Sequence, residues 1–175
     1  MCNLAVRKSL FLSIPQIDIR NGEDLALVPL LIANANIISH IDKSYYNYVM
    51  RSDSASLRKP TKNAYNNMLL AYGHISKHLN TDSQEVLDCM EYIGIKTILY
   101  NSTLMAIKGG NDKNTLSKIV GDFKQLYPDW INNSYLRKLP AYKRFYLKCA
   151  QYQLWIMCRL FVCLHTFILT KTNIY

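Results

Sequence analysis

Apolar residues recur at helical spacing over the middle of the chain. They repeat every three or four positions across residues 63–79, again from near Thr81 to Ile107, and a third time across residues 116–126. The glycine pair at 109–110 and Pro128 follow the second and third stretches, and both residue types end helices. The pattern therefore predicts three helices in this part of the chain.

The first third of the chain carries a mixed pattern. Residues 3–20 form a short amphipathic stretch, and Asn21-Gly22 is a turn signal. Asp24 precedes an apolar run and is predicted as the N-cap of a helix, because its side chain can accept hydrogen bonds from the first free amides. Residues 37–41 and 45–50 are rich in β-forming side chains and predict two short strands or extended edges before a polar, basic loop.

The chain ends in one long helical candidate that begins after Pro140. Its early part is basic, and its later part, residues 155–169, is strongly apolar. Arg159 and His165 interrupt the apolar part, and a charge at a bilayer centre costs roughly 2.5–3.5 kcal/mol on insertion scales. We therefore expect a helix that lies on an anionic membrane surface rather than one that spans it, although a helix packed on the other helices fits the pattern equally well. The basic residues of the early part are Lys143, Arg144 and Lys148.

Three regions follow from these elements. They are an α/β fragment over residues 1–56, a helical region over 63–139 and a basic amphipathic helical tail over 140–175, so the predicted fold class is an α/β fragment followed by mainly α-helical structure. Lys and Arg outnumber Asp and Glu by 21 to 12, which gives a formal charge of +9 and favours an anionic partner. The basic residues are scattered and match no nucleic-acid-binding motif, so we do not expect that partner to be a nucleic acid.

The cysteines and histidines give no metal-site pattern. The five cysteines form no CxxC pair and no Cys/His zinc spacing, so we interpret them as small buried hydrophobic residues with reduced thiols. Reduced thiols without a secretory signal indicate a cytoplasmic setting. His74 and His78 lie four residues apart, but no HExxH motif accompanies them, and we interpret the pair as a solvated helix face.

Three sequence blocks in the first third occur in a specific order. They read N-L-A-V-R-K-S-L-F (residues 3–11), G-E-D (22–24) and Y-N-Y-V-M-R-S-D-S (46–54). Their order and spacing resemble the second half of the catalytic domain of bacterial family-2 glycosyltransferases of the surface-polysaccharide type, where N-K-L-Y-R-R-x-L-F, G-E-D and Y-x-Y-R-x-R-x-x-S blocks follow one another. Leu4 stands where the family usually has Lys, and Val49 where it often has Arg.

The resemblance implies a set of roles within an incomplete A-type nucleotide-diphospho-sugar transferase fold. Asp24 would act as the general base that takes the proton of an acceptor hydroxyl, and Glu23 would support it. The family holds a divalent cation, Mg or Mn, with an Asp-x-Asp pair, and this chain contains none. The cation and the nucleotide sugar would therefore bind a half of the enzyme that this chain lacks. The implied substrate-binding residues are Asn3, Tyr46, Tyr48 and Arg51, although strand residues that cover the core fit the tyrosines as well.

The resemblance thus predicts the acceptor-side part of an enzyme that moves a sugar from a nucleotide sugar to a glycan or lipid-linked acceptor. Without the nucleotide-binding half, this chain is expected to be inactive. Two alternatives stay open: a non-catalytic remnant of the family, and a basic helical module that binds a membrane surface. The expected location is the cytoplasm, peripheral to the inner face of the membrane.

Overall fold

A computed structural model describes residues 4–19, 22–47, 49, 61 and 64–171 of the chain. These residues are mainly helical, as the sequence predicts, and they contain no β-strand. The helices are α1 (Lys8–Ser13), α2 (Glu23–Ala33), α3 (Ala64–His78), α4 (Gln84–Gly94), α5 (Thr103–Lys108), α6 (Lys113–Leu126), α7 (Ala141–Gln151) and α8 (Trp155–Lys171). A π-helical segment (Ile95–Ser102) joins α4 to α5, and two 3-10 turns (Trp130–Asn132 and Ser134–Lys138) lie between α6 and α7.

The three predicted helices of the middle region are confirmed. Helix α3 covers the first apolar stretch and α6 covers the third. The second stretch forms one continuous helical run from α4 through the π-helical segment to α5. Asp112 caps α6, because its Oδ1 accepts a hydrogen bond from the Thr115 amide at 2.9 Å.

The π-helical segment lies at the centre of the molecule. Most of its side chains are buried, and α3, α6 and α7 pack against it. Its polar side chains bond to the helix's own backbone: the Ser102 hydroxyl donates to the Thr97 carbonyl, five residues back, at 2.9 Å. Thr103 donates to the Leu99 carbonyl, and its oxygen lies 2.9 Å from the Tyr146 hydroxyl of α7. The buried hydroxyls are therefore satisfied, as burial requires.

One hydrophobic core runs through the described residues. It includes Ile14 and Leu30 from the first third, Ile95 and Phe123 from the middle region, and Val162 from the tail. Helix α2 packs its buried leucines against α3. The N-terminal region, the middle helices and the tail therefore share apolar contacts.

Two predictions for the first third are wrong. No strand forms at residues 37–41 or in the described part of 45–50, where the backbone is irregular and the side chains are exposed. Asp24 is not an N-cap: the cap position is Gly22, whose φ of 102° is in the left-handed region, and Asp24 lies in the first helical turn. Pro29 lies inside α2.

The predicted single tail helix is broken in two. Helix α7 ends at Gln151 and α8 begins at Trp155, with Gln153 between them at a positive φ of 55°. A left-handed conformation costs a non-glycine residue about 1–2 kcal/mol. Two hydrogen bonds to Ser117 of α6 stabilise the break. The Ser117 hydroxyl donates to Gln153 Oε1 at 2.9 Å and accepts from the Trp155 indole N–H at 3.1 Å. The chain therefore turns back, and α8 packs on α7 and α5.

Within the described part of the chain, no helix has the length and apolar character needed to cross a membrane.

Candidate functional site

The two acidic residues of the G-E-D block lie in the first turn of α2. Gly22 precedes them in a left-handed conformation, and a Cβ at this position would lie 3.2 Å from Met68 of α3. A glycine therefore suits both the turn and the close approach to α3. The side chains of Glu23 and Asp24 are exposed, so their carboxylates are accessible from solvent. At a helix N-terminus the negative charge of a carboxylate is favoured by the free backbone amides.

A groove lies at the other end of α2. It has a volume of about 590 Å³ and is lined by residues 4–7, 9, 10 and 13 on one side and by 31, 32 and 34–39 on the other. Arg7 contributes a guanidinium group, and most other lining groups are apolar or small. Neither Glu23 nor Asp24 lines this groove, since Asp24 lies roughly 10 Å along the helix axis from Leu31. The structure therefore does not bring the predicted base and the groove together.

Of the predicted substrate-binding residues, the structure describes Tyr46. Its side chain is about half exposed, in the irregular segment that follows α2. Asn3, Tyr48 and Arg51 lie outside the described residues. An acceptor site formed by these four residues therefore stays a prediction.

In the described ranges, no group of three His, Cys, Asp or Glu side chains is placed to hold a metal ion. The Mg or Mn ion implied by the resemblance stays a prediction. The cysteines differ in burial: Cys149 and Cys158 are buried as expected, Cys89 is half-buried, and Cys163 is exposed, contrary to expectation. Burial and the nearby Cys149 raise the pKa of the Cys158 thiol to about 12, which disfavours the reactive thiolate at neutral pH.

The histidine pair has a packing role that the sequence did not reveal. The Nε2 atom of His74 lies 2.9 Å from the Pro15 carbonyl oxygen, and this hydrogen bond links the extended segment after α1 to α3. The rings of His74 and His78 are 4.7 Å apart, and both side chains are half-buried rather than fully solvated. Desolvation, followed by the charges of His74 and Lys77, lowers the pKa of His78.

The basic cluster at the start of the tail is divided between two surfaces. Lys143 is half-buried, with its Nζ 5.0 Å from the centre of the Tyr100 ring in a cation–π contact. Arg144 and Lys148 point instead into a cleft that Arg137 also lines. Arg144 and Lys148 are visible as neighbours in the sequence, but Arg137 is not, because only the 3-10 turns bring it to the same surface.

The chain matches no protein-family model, no curated protein and no solved structure.

Proposed function

We propose that the chain is the acceptor-side part of a glycosyltransferase that moves a sugar from a nucleotide sugar to a glycan or lipid-linked acceptor. The observation that carries the proposal is the place of the G-E-D block. Gly22 turns the chain into α2, and the carboxylates of Glu23 and Asp24 are exposed in the first turn. An acceptor hydroxyl that reaches this turn from solvent meets a carboxylate able to take its proton.

The exposed segment after α2 supports the same proposal. Ile37, Ile38 and Tyr45 expose 82, 67 and 76 % of their surface, respectively. Large β-forming side chains of this kind are usually covered by a neighbouring strand or helix. In the proposed enzyme this segment meets the missing half, which binds the nucleotide sugar and its Mg or Mn ion. The chain alone is then inactive in transfer.

Acceptor binding is the property that this chain should retain by itself. Saturation-transfer NMR with a panel of bacterial surface oligosaccharides is expected to show binding, which Tyr46→Ala weakens because an aromatic ring that stacks on sugar is lost. The matched control is Tyr45→Ala, at the adjacent exposed position. Absence of binding to every oligosaccharide, or equal binding by both variants, would contradict the assignment of Tyr46.

The role of Asp24 is tested by supplying a family-2 nucleotide-sugar-binding half to the chain. Asp24→Asn is expected to lower transfer by about 10²–10⁴-fold, because the amide cannot accept the proton. Donor binding should not change, and Glu23→Gln should cost less. Steady-state kinetics measure sugar transfer by each variant, and a thermal melt checks that each variant is folded. Near-normal turnover of Asp24→Asn would place the base elsewhere.

A second candidate function, a membrane-surface module peripheral to the cytoplasmic face, is favoured by the outer face of α8. Four apolar side chains recur there at positions i, i+4, i+8 and i+11, while the opposite face is buried against the core. This stripe and the net charge of +9 fit a helix that lies on an anionic bilayer. The stripe consists of Ile156 (77 % exposed), Leu160 (56 %), Leu164 (64 %) and Phe167 (56 %).

Vesicle sedimentation separates this candidate from the first. Leu160→Gln with Leu164→Gln is expected to reduce binding to anionic vesicles, since less apolar surface enters the bilayer. The control is Leu70→Gln with Leu126→Gln, which changes two leucines exposed on other helices. If both pairs bind like the parent protein, the α8 stripe is not a membrane contact.

A further inference from the structure

A basic cleft lies between the two 3-10 turns and α7, far along the chain from the G-E-D block. It has a volume of about 480 Å³, within the range of about 300–1,000 Å³ usual for small-ligand sites. Three cationic side chains line it, Arg137 from the second 3-10 turn and Arg144 and Lys148 from α7, and none of its lining residues is acidic. Positive charge therefore converges on a concave surface from two separate elements.

These cations have no carboxylate partners in the described part of the chain. The ion pair found there joins His40 to Asp42, at a distant exposed position. Arg144 and Lys148 are four residues apart on one helix, and like charges at this spacing repel one another. A bound anion would neutralise this repulsion. The guanidinium groups of Arg137 and Arg144 suit phosphate in particular, because each presents parallel N–H donors that fit two phosphate oxygens.

The wall of the cleft includes a buried aromatic side chain. Trp130 lines the cleft and is only 1 % exposed. Leu136 and Leu147 supply apolar surface beside the cations.

We propose that the cleft formed by Arg137, Arg144, Lys148 and Trp130 binds a ligand through a phosphate or diphosphate group. The phosphate oxygens bind the three cations, and the remainder of the ligand lies against the apolar wall. The proposal does not depend on the glycosyltransferase assignment, because no residue of the G-E-D block takes part. The phosphate group belongs either to a soluble ligand or to a lipid headgroup.

Calorimetric titration of the full chain with pyrophosphate tests the proposal. The parent protein is expected to show saturable binding that weakens as salt rises. Arg144→Gln with Lys148→Gln should weaken it by about tenfold or more, because two charge-assisted contacts are lost. The matched control is Lys118→Gln with Lys124→Gln, which removes the same charge from exposed positions on α6 and should bind within about twofold of the parent. Circular dichroism and a thermal melt check the fold of each variant.

Arg137→Gln provides a second test outside α7, for the case in which the double variant does not fold. It too should weaken pyrophosphate binding several-fold. Vesicles of phosphatidylcholine with phosphatidic acid, compared with equally charged phosphatidylserine vesicles, identify the source of the phosphate. Preference for phosphatidic acid, competed by pyrophosphate, indicates a headgroup, and pyrophosphate binding without that preference indicates a soluble ligand. No saturable binding to pyrophosphate or phosphatidic acid, or equal losses in the α7 and α6 double variants, would overturn the proposal.

Discussion

Replacing Gly94 with alanine tests how closely α3, α4 and α6 pack. Gly94 is buried at the end of α4. A Cβ built there would lie 2.8 Å from Cε2 of Phe123 and 3.0 Å from both Cζ and the hydroxyl oxygen of Tyr72. Phe123 is 1 % exposed and Tyr72 is 3 % exposed, so neither ring has solvent to move into. The Tyr72 hydroxyl is held further by the Tyr127 hydroxyl at 2.6 Å and by the Met90 carbonyl at 3.1 Å.

Two opposing effects set the size of the change. Alanine favours the helical backbone over glycine by about 0.8–1 kcal/mol. An added methyl group in a tightly packed core typically costs about 1–3 kcal/mol in forced side-chain and backbone shifts. The clash is therefore expected to win, and Gly94→Ala should destabilise the protein by up to about 2 kcal/mol.

The control variants are Gly73→Ala in α3 and Gly121→Ala in α6. A Cβ at either position meets no atom within 4 Å, so only the backbone gain applies. Each should raise the melting temperature by about 2–4 °C, since 1 kcal/mol corresponds to about that shift in a chain of this size. Differential scanning calorimetry should therefore place Gly94→Ala at least about 2 °C below both controls. A Gly94→Ala protein that melts as high as the controls would refute the close approach of Phe123 and Tyr72.

Three further predictions concern the tail. Tyr146→Phe removes the hydrogen bond to Thr103, whose hydroxyl keeps its own bond to the Leu99 carbonyl, and should cost about 0.5–1.5 kcal/mol in urea unfolding; no loss would mean the hydroxyls do not pair. Burial, followed by two nearby lysine charges, lowers the pKa of His165, so the folded state binds fewer protons and stability should fall as pH drops below about 6.5. His165→Gln should flatten that fall in melts between pH 5 and 7.5, and an unchanged slope would contradict it. Cys163 is exposed and should react with a thiol reagent at pH 7.5, while Cys158 reacts only on unfolding; rapid labelling of both by mass spectrometry would contradict the packing of α8.

The helices of the middle region were predictable because local signals and burial agree there. In α6, Asp112 supplies a cap, and Leu116, Val120 and Phe123 form a buried stripe at helical spacing. What the sequence did not reveal is the π-helical segment, since Ile95, Ile98 and Leu99 keep the spacing of three and four residues that an ordinary α-helix shows. The apolar pattern therefore predicts a helix here but does not distinguish α from π hydrogen bonding.

The errors in the first third have a different physical origin. The β-forming side chains at 37–41 predicted strands, but strand propensity reflects packing against a neighbouring strand, and the described residues supply none. Asp24 looked like an N-cap from its residue type alone. Gly22 takes that place because its left-handed backbone and close contact with α3 are tertiary features. The exposed carboxylates of the candidate site were identified by motif order, and their distance from the groove was visible only in three dimensions.

The break between α7 and α8 allows the tail to carry two separate surfaces, the basic cleft and the apolar stripe of α8, for which functions are proposed. In an unbroken helix, Trp155 would follow Arg144 by eleven residues and Lys148 by seven, and both intervals return to about the same face of a helix with 3.6 residues per turn. The Trp155 indole would then lie on the same helix face as Arg144 and Lys148. That face could not be buried around the indole and exposed at the cleft at the same time. The left-handed Gln153 removes that conflict: Trp155 is buried and bonded to Ser117, while Arg144 and Lys148 stay exposed beside Arg137. The same bend turns the apolar stripe of α8 outward. The basic cleft and the stripe therefore form separate surfaces, and substitutions can remove either one without changing the other.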